Sequence, residues 1–247
     1  MEEFRLEDLS PKLRICISKQ HRFGSDSFLL ADFSVRPRVK LACDLCSGCG
    51  IIPLLWLRAG MPLEKAYGVE LQRDAVDLMR YTAAESGIEE VFIPVESDLK
   101  ELAGKIPAAS MELVTCNPPY FEAGHGVPSP KGHRLTARHE VACSIEDVCA
   151  AAARLLKFGG SFCVCHRPDR LVDVLEAMRR CGLEPKRLRF VHQRPWEAPW
   201  LVLAEGRRGG RPFLKVEPPL IVEGPDGSFS EEMKRIYRIE SGKSQPE

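Results

Sequence analysis

This chain of 247 residues lacks a net charge: its 35 lysines and arginines balance 35 aspartates and glutamates. A uniform field pulling it onto nucleic acid is therefore excluded, and contact with a polyanion must come from local basic patches. It also lacks any apolar run near the ~20 residues that cross a bilayer, and Met1-Glu2-Glu3-Phe4 does not open a signal peptide. A soluble cytoplasmic protein with no membrane partner is expected. There is no internal repeat. With 44% hydrophobic residues, the length suits one domain with a full core and short appendages.

Cysteine is not scarce, but a disulfide framework is not expected, because the cytosol is reducing. Cys43, Cys46 and Cys49 have the C-x2-C-x2-C spacing of an iron–sulfur ligand set. They fall within a strand and glycine turn that has another use, so no metal is expected. Cys163 and Cys165 alternate along an apolar strand and read as core thiols.

Strand and helix patterns alternate from residue 39 onward. Strands are predicted at Val39–Leu45, Ala66–Glu70, Phe92–Val95, Met111–Cys116 and Ser161–His166, with further ones at Leu188–Val191 and Trp200–Ala204. Helices are predicted over Ile51–Ala59, Asp74–Ser86, Ile145–Leu156 and Asp169–Arg180. This order implies an α/β fold with a doubly wound, mostly parallel seven-stranded sheet and a C-terminal antiparallel strand. Residues 1–35 are expected as an N-terminal flap, 36–205 as the core and 206–247 as a C-terminal extension. The polar stretch Glu122–Arg138 is too long for an ordinary connection and reads as a mobile loop beside the active face or an insertion.

Asn117-Pro118-Pro119-Tyr120 ends the fourth of these strands. Two prolines stop both helix and ladder, leaving a rigid turn. Its amide oxygen and proline carbonyls are acceptors that fit a planar amino group. The turn therefore points to chemistry on an amino or amide nitrogen, with Tyr120 offering a face for stacking.

The first strand leads into Asp44-Leu45-Cys46-Ser47-Gly48-Cys49-Gly50, and the next ends in Glu70-Leu71. Small residues let backbone approach a ligand, and an acidic side chain at the second strand end accepts ribose hydroxyls. Asp98 follows the third strand. The dinucleotide pattern G-x-G-x-x-G is missing, because its sixth position is Pro53.

This D-x-C-x-G-x-G arrangement resembles the class I S-adenosylmethionine-dependent methyltransferases, a Rossmann-like fold. Cys46 stands where the family has its first glycine. The resemblance implies S-adenosylmethionine as cofactor, held by Asp44, Cys46, Gly48, Gly50, Glu70, Leu71, Asp98 and Asn117. Asp98 would lie at the adenine amino group, and Asp44 and Gly48 near the methionine portion. Within that superfamily the Asn117–Tyr120 turn marks enzymes acting on amino or amide nitrogens. These include adenine-N6, guanine-N2 of ribosomal RNA and protein-glutamine methyltransferases.

The flanks select among them. Phe23-Gly24-Ser25-Asp26-Ser27-Phe28-Leu29-Leu30-Ala31, Ala137-Arg138-His139-Glu140 and Ile221-Val222-Glu223-Gly224-Pro225-Asp226 are similar to segments of the bacterial tRNA(Val) adenine-37 N6-methyltransferases. The resemblance spans about residues 15–238. It implies methyl transfer to an anticodon-loop adenine of a tRNA by Asn117, Pro118, Pro119 and Tyr120. Tyr120, Lys131, Arg134, Arg138, Arg207, Arg208 and Arg211 would hold the RNA. Trp196 and Trp200 read as core or rim packing, and His21 and His166 as packing or loop residues. A non-catalytic RNA-binding protein that keeps the cofactor fold is the alternative of a different class. The oligomeric state is left open between monomer and weak dimer.

Overall fold

The computed structural model describes residues 4–118 and 143–239. Its central strands are β3 (Leu41–Leu45), β4 (Lys65–Glu70), β5 (Phe92–Glu96), β6 (Met111–Cys116), β7 (Leu156–His166), β8 (Leu183–His192) and β9 (Pro199–Arg208). They lie in the order β8-β9-β7-β6-β3-β4-β5, with β9 antiparallel to both neighbours and the other pairings parallel. The seven expected strands are therefore present. Two short strands, β10 (Lys215–Val216) and β11 (Leu220–Ile221), extend the outer edge of β8 and bring the sheet to nine. Two-residue strands carry too little periodicity to be read from sequence.

Alternation along each strand divides the core into two layers. Ala42, Leu113, Cys163 and Cys165 face one side, which carries α1 (Ser25–Ser34) and α2 (Ile51–Arg58). Cys43, Leu45, Val114, Cys116, Phe162 and Val164 face the other, under α4 (Ile145–Leu155) and α5 (Leu171–Arg180). Cys163 and Cys165 are thus core thiols, fully buried. Cys43 and Cys49 belong to opposite layers, so the C-x2-C-x2-C run does not converge.

The segment expected as a flap is packed into the molecule. A hairpin of β1 (Phe4–Ser10) and β2 (Leu13–Ser18) lies against α3 (Arg73–Glu85), where Cys16 N–H donates to Thr82 Oγ1 at 2.8 Å. Helix α1 buries Phe28, Leu29, Leu30, Ala31 and Phe33, and the Trp56 indole of α2 donates to Ser34 Oγ at 2.8 Å. An apolar run such as Ser27–Phe33 is worth more buried than exposed, at about 1.5–3 kcal/mol per large side chain, so it docks rather than swings.

The C-terminal helix α6 (Glu231–Tyr237) closes the same layer. Tyr237 stacks on Phe28 at 4.4 Å and on Phe229 at 5.3 Å between ring centroids. Arg36, after α1, donates to Glu205 of β9 at 2.6 Å, and Arg187 of β8 donates to the same carboxylate at 2.8 Å. The segment after α1 is thereby tied to β8 and β9 of the sheet.

Candidate functional site

The carboxyl ends of β3, β4, β5 and β6 lie side by side and carry Asp44, Glu70, Asp98 and Asn117. This is the edge at which an open α/β sheet presents a ligand crevice.

Asp44 is 1% exposed. Its Oδ2 accepts the Ser47 hydroxyl at 2.7 Å and its Oδ1 the Thr115 hydroxyl at 2.6 Å. Burial pushes its carboxyl up from 3.8 to about 7, against those two hydroxyl donors and with a smaller contribution from the Glu70 charge. The site therefore holds a carboxyl that a cationic ligand would ionise.

The turn that follows is shaped for close approach. Cys46 has φ 55°, in the left-handed region that glycine favours, so the backbone keeps the glycine conformation despite the substitution. Gly48 has φ 55° and a Cβ built there would meet nothing within 4 Å, whereas a Cβ on Gly50 would meet Phe92 at 2.7 Å and Met79 at 2.9 Å. Gly48 opens toward the crevice; Gly50 is small because the core presses on it. Ser47 N–H donates to Val69 O at 2.9 Å, fixing the turn to β4.

Glu70 is buried at the mouth. Its Oε2 accepts Gly48 N–H at 3.0 Å, and its Oε1 accepts Leu71 N–H at 2.8 Å and Gln72 N–H at 3.1 Å. A carboxylate offers about four acceptor positions, so Oε2 retains capacity for a hydroxyl. Asp98 Oδ1 accepts Lys100 N–H at 2.8 Å. Open space over Gly48, an acceptor at each of three strand ends and a buried carboxyl fit S-adenosylmethionine. Its sulfonium is cationic and its ribose and adenine carry donors.

Asn117 sits beside this set, held by residues from two other elements. Its Nδ2 donates to Asp26 Oδ2 at 3.0 Å and Ser27 Oγ at 3.3 Å, both in the first turn of α1. Its Oδ1 accepts the Cys165 thiol of β7 at 3.1 Å. Pro118 is buried. Asp26, Ser27 and Thr115 had no expected role, and Cys165 was expected only as a core thiol. The signal for the first two was the Gly24-Ser25-Asp26-Ser27 segment itself, whose contact lies 91 residues away in sequence.

Three of the expected RNA contacts are placed elsewhere. Arg207 pairs with Ser161 while Val202 pairs with His166, so Arg207 lies about 17 Å down the strand from the crevice edge. Arg207 donates to Gly159 O and Arg208 to Leu156 O, and Arg211 follows them at that opposite edge. The reason is direction: β9 runs against β7, so its carboxyl end points away from the site. Pro119, Tyr120, Lys131, Arg134 and Arg138, with the Glu122–Arg138 stretch, lie outside the described residues. Trp196, 73% exposed, and Trp200 are on the rim at the crevice end. His166 accepts Arg167 N–H at 2.9 Å, and burial lowers its pKa.

The methyltransferase small domain family matches residues 19–178. Among curated relatives, the tRNA1(Val) (adenine(37)-N6)-methyltransferase of Erwinia tasmaniensis is 29% identical over 88% of this chain and 86% of its own. The enzyme of that name from Proteus mirabilis is 27% identical over 58% of this chain and 56% of its own length. Solved structures share the fold. Protein Atu636 from Agrobacterium tumefaciens, described as a predicted O-methyltransferase, superposes with a TM-score of 0.68 at 20% identity, covering 86% of this chain and 95% of that one. TrmN from Thermus thermophilus gives 0.51 at 19%, covering 74% and 48%. The glycine turn, the acidic strand ends and the asparagine turn are thus set in a class I methyltransferase sheet, and the chain belongs to the methyltransferase small domain family of S-adenosylmethionine-dependent enzymes.

Proposed function

We propose that this enzyme methylates the N6 amino group of adenine 37 in a valine tRNA. The observation that carries the reading is Asn117, whose amide is locked beside the cofactor turn with its nitrogen on a carboxylate and its oxygen on a weak thiol donor. The 29% identical relative, named for that reaction and aligned along most of both chains, supports the substrate.

The chemistry asks little of the protein beyond positioning. Bound S-adenosylmethionine supplies a methyl on a cationic sulfur. The acceptor nitrogen is a poor nucleophile because its lone pair is delocalised into the ring. Hydrogen bonds from its N–H groups to Asn117 Oδ1 and the Pro118 carbonyl favour a more pyramidal nitrogen with its lone pair free to align. The Cys165 thiol that holds this oxygen is only a weak donor. No strong base is needed, since the alkylated nitrogen is acidic and releases its proton to water. With S-adenosylmethionine bound, Asp44 would balance its cationic methionine portion, Glu70 would take its ribose hydroxyls and Asp98 its adenine amino group. The RNA grip falls to the crevice rim, where Arg167 follows β7 and Arg194 and Trp196 occupy the β8–β9 turn. Tyr120, Lys131, Arg134 and Arg138 belong to the same reading.

The test is incubation with labelled S-adenosylmethionine and, separately, tRNA lacking the modification, ribosomal RNA or release factor, followed by nucleoside and peptide mass analysis. N6-methyladenosine at position 37 is expected. Methyl on guanine N2 or on glutamine would replace the substrate, and binding without transfer would select the non-catalytic alternative.

A further inference from the structure

The Asn117 amide is gripped at both ends by groups of opposite hydrogen-bonding character. Asp26 Oδ2 and Ser27 Oγ accept from its Nδ2, and Cys165 Sγ donates to its Oδ1. An ionised carboxylate only accepts, so the NH2 end must face Asp26 and the oxygen must face away. Asp26 is itself oriented, because its Oδ1 accepts Ser27 N–H at 2.9 Å in the first turn of α1. That helix is immobilised by burial and by the stacking of Phe28 on Tyr237.

We propose that Asp26 is a positioning residue that fixes which end of the Asn117 amide the site presents. With the oxygen presented, the turn receives a nitrogen that carries N–H groups, such as an exocyclic amine or a carboxamide. Turned over, the same side chain would set an NH2 donor against the incoming amine, leaving donors of both partners unpaired in a desolvated crevice. Asp26 thereby selects for amino nitrogens and against ring nitrogens that offer only a lone pair. The inference rests on the reading that Asn117 receives the nitrogen to be methylated.

Asp26→Asn is the deciding variant. It keeps the volume and an oxygen for Ser27 N–H, but sets an NH2 group against the Asn117 NH2, so the Asn117 amide must turn over. Single-turnover methyl transfer should fall at least ~10-fold, a change of about 1.4 kcal/mol in barrier. Cofactor Kd and thermal midpoint should stay near wild type. Asp26→Ala, which removes the lock without forcing the reversal, should lose less in rate and more in stability. In an Asn117→Ala background, Asp26→Asn should have no further effect.

Unchanged transfer in Asp26→Asn would overturn the proposal. So would an equal loss in the Asn117→Ala background, which would make Asp26 a support of α1 alone. Each arm uses whichever acceptor the wild type methylates. A wild type that methylates guanine or glutamine instead of tRNA adenine removes the substrate assignment and leaves this test intact.

Discussion

At the residue scale, two glycines of one turn are small for different reasons, and substitution separates them. Gly50→Ala pushes a methyl into Phe92 and Met79 at φ 84° and should cost about 1–3 kcal/mol, seen as a lower urea midpoint. Gly48→Ala meets no atom and should lose only about 1 kcal/mol, from left-handed backbone. It should nonetheless weaken S-adenosylmethionine binding at least ~10-fold, and an unchanged Kd would remove Gly48 from the cofactor site. The sequence showed both positions as glycine and could not rank them, because the difference lies in what packs behind each.

Asp44 makes a pH prediction. Its carboxyl is held at about 7 by burial against an ordinary 3.8, so the native state keeps a proton that the unfolded chain has lost. That contribution to stability is fully present below 3.8 and is lost as pH rises to about 7. A cationic ligand favours the ionised form, so S-adenosylmethionine affinity should rise with pH up to about 7 and level off above it. Titration calorimetry in buffers of differing ionisation heat should show up to one proton released below that plateau. Asp44→Asn should abolish the dependence; a pH profile unchanged in that variant would assign it to another group.

At the element scale, α1 links the C-terminal helix to the site. Tyr237 of α6 stacks on Phe28, two residues beyond the aspartate that holds Asn117. Tyr237→Ala should lose about 2–4 kcal/mol of stability by chemical denaturation and lower turnover beyond what unfolding explains. Tyr237→Phe keeps the ring and should stay within about 1 kcal/mol. Full turnover by folded Tyr237→Ala would show α1 to be independent of α6. The strands and helices of the core were legible because each buries a face at a period of 2 or 3.6 residues. The hairpin, α1, β10, β11 and α6 were not. Helix α1 is buried almost all round and so shows no single apolar face, while the others are short or half-exposed and take their stability from the partner they rest on.

At the scale of the whole molecule, the direction of one strand sets how far its terminal arginines lie from the crevice. Arg207 and Arg211 lie at the sheet edge away from the crevice, so Arg207→Ala with Arg211→Ala should leave the salt dependence of tRNA binding unchanged. Arg167→Ala with Arg194→Ala, at the crevice rim, should reduce the slope by about 1–2. The opposite result in binding titrations over a salt series would return the RNA to the far edge. Arg208 is better left in place, because its guanidinium satisfies the Leu156 carbonyl.

The sequence alone determined the mostly parallel sheet, through alternation within each strand, and marked its ligand edge by small residues after one strand, an acid ending the next and two prolines stopping the fourth. The cofactor followed from resemblance to a family that carries these features, and the nitrogen chemistry proposed for the Asn117 turn rests on the same resemblance. Only the tertiary structure decided that Asp26 holds Asn117, that Gly48 is open while Gly50 is packed, and that the basic Gly206–Arg211 stretch lies away from the site. Those facts depend on which face a helix covers and which way a strand runs, and neither is encoded within the few residues concerned.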